Sequence, residues 1–113
     1  MGTEPAAPAW RVYEDGQTLG TRGSENGVIV ADEENEAGAR ITLEKRRAFP
    51  GSKRPPFAIT CGVYGAMMHT CFFADEAAAQ AGYAAMKPRL VALALSSEND
   101  WERDADAFLA DFP

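Results

Sequence analysis

The chain has no stretch long and apolar enough to cross a membrane as a helix, which takes about 18 or more residues. The longest candidate runs only from Val91 to Leu95. Residues Met1 to Pro8 hold neither a basic segment nor an apolar one, so a secretory leader is not expected. Met1-Gly2 could open a myristoylation signal, but Ala6 stands where Ser or Thr is preferred. Alanine and proline there make residues 1–9 read as a flexible tail ahead of one α+β domain over 10–113.

Cysteine is scarce, at two residues, and histidine occurs once. Two thiols in a chain without an export signal are expected to stay reduced, which favours the cytoplasm. Basic residues are outnumbered 11 to 17, for a net charge of −6. That balance argues against a general nucleic-acid binder, because neutralising phosphates takes clustered Lys and Arg. No repeat at solenoid spacing is present either.

Several motifs are approached and missed. The loop Gly20 to Gly27 has three glycines in eight residues, but lacks the Gly-Lys-Ser/Thr ending of a phosphate-binding loop and leads into a strand. It reads as a surface loop. Asp32, Glu34 and Glu36 alternate as calcium ligands do, yet the glycine and the closing glutamate are misplaced for an EF-hand. The closely spaced cysteine pairs of structural zinc are absent, so neither metal nor other cofactor is expected.

What is present reads as strands followed by helices. Trp10 to Tyr13, the turn Glu14-Asp15-Gly16 and a return over Gln17 to Leu19 suggest a first hairpin. Val28 to Ala31 is β-branched, and the acids of Asp32 to Gly38 read as a solvated turn. Ala39 to Arg46 then alternates: Ala39, Ile41, Leu43 and Lys45 on one face, Arg40, Thr42, Glu44 and Arg46 on the other. This is the period of a half-buried antiparallel strand. Arg47 to Pro56 is a proline-bearing loop.

Asp75 is placed to cap a helix whose stripe is Ala79, Tyr83, Met86, Leu90 and Leu93. Pro88 should kink that helix or restart it. Ser97 to Asp100 resembles a second helix entry, ahead of the stripe Trp101, Ala105, Phe108 and Phe112. The order predicts an antiparallel sheet of about five to six strands in successive hairpins, with two C-terminal helices packed on one face.

The run Phe57 to Phe73 holds both cysteines and the histidine. What those residues can do depends on register. A two-residue turn centred on Gly65-Ala66 is favoured by its leading glycine and pairs Tyr64 with Met67. Cys61 then points away from His69 and Cys71, while Thr60, Tyr64, His69 and Cys71 share one face. A three-residue loop pairing Val63 with Met67 would instead set Cys61 opposite His69. Pairing Tyr64 with Met68 would set Cys61 opposite Cys71.

Two functional readings follow. The first is a non-catalytic binding or interaction module that self-associates, as a homodimer, through exposed apolar sheet or helix surface. Its partner would be another protein or a small anionic ligand. The second is a small enzyme or anion pocket using His69 with Cys71 or Tyr64, a thiol and a base lying about 7 Å apart along one strand. Candidate ligand-binding residues are His69, Cys71, Thr60 and Tyr64, together with Arg46, Arg47, Lys53 and Arg54 of the basic loop, which could hold a carboxylate or phosphate.

Overall fold

A computed structural model of the chain describes residues 9–47, 51 and 53–113. Most of the expected tail and the middle of the basic loop therefore lie outside the described residues. Five strands form one antiparallel sheet in sequential order: β1 (Trp10–Val12), β2 (Val28–Asn35), β3 (Ala39–Lys45), β4 (Phe57–Val63) and β5 (Met67–Phe73). Helices α1 (Glu76–Ala94) and α2 (Trp101–Asp111) follow. This is the α+β arrangement that the sequence order predicts.

One face of the sheet is covered. Ile41 and Leu43 of β3 and Ile59 and Cys61 of β4 are buried against Ala79, Tyr83, Met86, Leu90 and Leu93 of α1. These five α1 residues are the stripe read from helical spacing. Asp75 caps the helix by accepting from the Ala78 N–H at 2.8 Å. Pro88 neither ends nor splits it, since α1 runs unbroken from Glu76 to Ala94. The ring forfeits one backbone hydrogen bond, and the buried residues Met86 and Leu90 on either side hold the two halves to the same sheet face. Gly82 has a packing reason: a Cβ there would lie 2.7 Å from the Phe73 ring.

Helix α2 packs back on its own domain, beside α1. Phe108 is 1% exposed, and Trp101, Ala105 and Phe112 pack around the same core. Ser97 contributes to the helix entry by accepting from the Asp100 N–H at 3.3 Å, although α2 itself begins at Trp101.

Two expectations near the N-terminus are corrected. Gln17 to Leu19 is not a strand, and β1 pairs directly with β2, Trp10 opposite Asn35. The turn after β1 is tight, with Glu14 and Asp15 both at positive φ, and the chain then wraps as a loop over the sheet instead of returning beside β1. The acidic run is likewise not a turn: β2 continues through Asn35, and only Glu36 to Gly38 reverse the chain. Its acids can stay in the ladder because each meets a partner. Asp32 accepts from Arg40, Glu33 from Tyr83 and Lys87, and Glu34 from Arg11 and Tyr64.

Truncating Phe108 to alanine should cost about 3–5 kcal/mol of unfolding free energy, the usual toll for an emptied aromatic core site. Urea unfolding measures it; a loss under about 1 kcal/mol would show that α2 is not part of the core.

Candidate functional site

The β4–β5 hairpin is closed by a three-residue loop. Gly65, at φ +74, supplies the positive dihedral of a turn in which the Ala66 N–H reaches the Val63 carbonyl at 3.0 Å. Val63 then pairs with Met67, Cys61 with His69, Thr60 with Thr70 and Ile59 with Cys71. The expected two-residue turn is thus corrected, since glycine meets its dihedral requirement one position later in the turn. The consequence reaches every side chain in the hairpin. Cys61, His69 and Cys71 face the helices, whereas Thr60 lies on the opposite, open face. The four candidates expected on one face are divided between two.

On the covered face, the end of the chain occupies His69 and Cys71. The His69 Nε2 lies 2.6 Å from the Phe112 carbonyl, and the Cys71 thiol donates to the same oxygen at 3.3 Å. Cys61 is buried, and burial pushes its thiol up to about 12; burial raises Cys71 too. A thiolate nucleophile needs the reverse, an electropositive and accessible setting. Among the described residues no cluster of His, Cys, Asp or Glu is arranged to hold a metal. Directly opposing Cys61 and His69 therefore does not create a ligand set.

The open face carries polar groups under cover of the Gly-rich loop. Asp32, 1% exposed, accepts from Arg40 Nε at 3.0 Å and Nη2 at 2.8 Å, from Thr42 Oγ1 at 3.1 Å and from Thr18 Oγ1 at 2.8 Å. Arg40 also stacks on Tyr13, 3.5 Å from the ring centroid. Donating to the Asp32 carboxylate holds the guanidinium protonated even more firmly than usual.

Glu44 is wholly buried, and its carboxylate accepts from the backbone N–H groups of Glu25 and Gly27, each at 3.1 Å. Gly23 sits against it so closely that a Cβ would fall 2.2 Å from the Glu44 carboxyl carbon. The glycines of this loop thus do cradle an anion, and the anion is the chain's own carboxylate. A β-bulge between Ile29 and Ala31 completes the arrangement, setting Ile29 beneath the loop on the same face as Asp32. The loop is tied to it by the Gly20 N–H to the Ile29 carbonyl and the Ile29 N–H to the Thr21 carbonyl.

Between this anchored loop and the hairpin tip lies a groove of about 590 Å³. Its lining includes Arg40, Thr42, Thr60, Gly62, Tyr64 and Met68. Gly62 keeps the floor low, since a Cβ would lie 2.5 Å from the Met67 carbonyl oxygen. Tyr64 reaches across to Glu34 at 3.2 Å; partial burial and that hydrogen bond push its phenol up.

The basic loop divides as well. Arg46 turns inward, donating to the Pro55 carbonyl and lying 5.3 Å from the Phe72 ring centroid, while Arg47, Lys53 and Arg54 are exposed. The groove brings Thr60 and Tyr64 together with Arg40, Thr42 and Glu44, which the reading of candidate residues omitted. Their signal was the polar face of the alternating strand Arg40-Thr42-Glu44. Comparison with protein-family models, curated proteins and solved structures returned no significant match.

Glu44→Gln replaces one accepting oxygen with a donor facing donors. It should cost about 1–3 kcal/mol and speed amide exchange at Glu25 and Gly27. Unchanged stability and exchange would show that the carboxylate does not anchor the loop.

Proposed function

We propose that the protein is a non-catalytic binding module, acting as a self-associated unit in the cytoplasm, with the open sheet face as its working surface. The groove on that face is the observation that carries this reading. Binding sites are typically concave and mostly apolar, with a few convergent polar groups. Met68 gives this groove an apolar wall, and Arg40, some of whose donors are committed to Asp32, gives it a polar end. A small ligand with an apolar body and an anionic end suits that lining. Arg47, Lys53 and Arg54, exposed beyond β3, could draw such an anion in.

The alternative, an enzyme built on His69, has less to support it. His69 and Cys71 both engage the Phe112 carbonyl, and burial disfavours both thiolates. Buried, unpaired thiols also agree with a reducing compartment. Self-association is supported by Met68, 80% exposed, and Phe72, 44% exposed, on the open face. No helix among the described residues is long and apolar enough to cross a membrane.

Titration with 2-naphthoate, followed by amide chemical shifts, tests the reading. Shifts should centre on Arg40, Thr42, Thr60 and Met68 and vanish in Thr60→Trp. No shifts there, or shifts centred on His69, would contradict it. Thiol alkylation separates the alternative. With its thiol raised to about 12, Cys61 in the native protein should react at pH 8 roughly a thousandfold more slowly than in the unfolded chain. Fast alkylation of Cys71 that depends on His69 would favour the enzyme.

A further inference from the structure

The outer edge of β5 has features that a lone domain normally avoids. Strand order places β5 at the margin of the sheet, and among the described residues its far side pairs with nothing. Edge strands are usually blunted by charges, proline, bulges or short length. Met67-Met68-His69-Thr70-Cys71-Phe72-Phe73 has no Asp, Glu, Lys, Arg or proline, and its register with β4 is continuous over seven pairs. The opposite edge is protected: β1 is three residues long and carries Arg11, paired with Glu34.

The direction of the free backbone groups follows from the ladder. The Tyr64 N–H bonds to the Gly38 carbonyl and the Arg46 N–H to the Pro56 carbonyl. Both bonds are in phase with the pairs Arg40–Gly62, Thr42–Thr60 and Glu44–Ala58, so the even-numbered residues of β4 bond to β3. The odd-numbered ones bond to β5, through Val63–Met67, Cys61–His69, Ile59–Cys71 and Phe57–Phe73. Met68, Thr70 and Phe72 therefore direct their N–H and C=O groups outward.

We infer that the occupant of this edge is β5 of a second copy, joined antiparallel about a two-fold axis at Thr70. This register, deepening the self-association proposed above, pairs Thr70 with the other copy's Thr70 and each Met68 with the other copy's Phe72. It satisfies all three outward N–H and all three outward C=O groups of each strand. It also brings together the two exposed apolar side chains of β5, Met68 and Phe72. Self-complementarity selects the partner, since the register is symmetric about Thr70. Because the strand has no Asp, Glu, Lys or Arg, two chains of net charge −6 set no like charges of this strand against one another across the axis. An isologous contact of this kind closes at two copies. The product is a ten-stranded sheet with both grooves on one side.

Sedimentation equilibrium on the full chain should give a dimer, and Met68→Lys should give a monomer with an unchanged circular dichroism spectrum. Thr70 atoms of the two copies would be separated by about 5.5 Å at Cα, within disulfide reach. Mild oxidation of Thr70→Cys should therefore yield a covalent dimer. A dimer that survives Met68→Lys and does not cross-link through Thr70→Cys overturns the β5 contact while leaving self-association standing. A monomeric wild type at millimolar concentration overturns both.

Discussion

The arrangement of this molecule depends on how many residues close the β4–β5 hairpin. Gly65 takes a positive φ inside a three-residue loop, and that choice sets the pairing of Val63 with Met67. Side chains alternate with a period of two, so one residue more or less in the loop would exchange the two faces of β5 relative to β4. With three, Cys61, His69 and Cys71 turn toward α1 and α2, and the open face is left to Thr60, Gly62, Thr70 and Met68. The end of α2 is secured by the same choice, because Phe112 finds its two donors on the strand above it.

The open face is held by electrostatics of a different kind. Buried charges are tolerated when each is paired or hydrogen-bonded. Asp32 meets that requirement with an arginine and two hydroxyls, and Glu44 meets it with backbone N–H groups. Both carboxylates fasten the segment between β1 and β2, Asp32 through Thr18 and Glu44 through Glu25 and Gly27. A loop with few apolar contacts thereby becomes one wall of the groove. The Arg40 guanidinium, stacked on Tyr13 and bound to Asp32, is fixed at the groove's edge by residues from two separate segments.

Local patterning made the helices and β3 legible. The α1 stripe, the Asp75 cap and the alternation of Ala39 to Arg46 are decided by residues near one another in sequence, and each appears in the structure, although β3, read as half-buried, is buried on its polar face as well at Thr42 and Glu44. The acidic run was not legible as strand, since the partners that make it tolerable, Tyr83 and Lys87 of α1, lie 50 or more positions away. The candidate site was legible only in part. Thr60 and Tyr64 reach the groove, but His69 and Cys71 attracted attention by chemical type and turn out to hold the chain end. Glu44 and the Gly-rich loop each had a recognisable composition. That the two complement one another is a tertiary fact, which neither segment states alone.

The hairpin register is therefore the point at which the account is most exposed. Strand pairs without mutual hydrogen bonds bring their Cα atoms to about 4.5 Å, close enough for strong Hα–Hα nuclear Overhauser effects. The register described here predicts such contacts between Thr60 and Thr70 and between Gly62 and Met68. Contacts between Cys61 and Thr70 and between Val63 and Met68 would mean a two-residue turn. They would return His69 and Cys71 to the face of Thr60 and contradict the account.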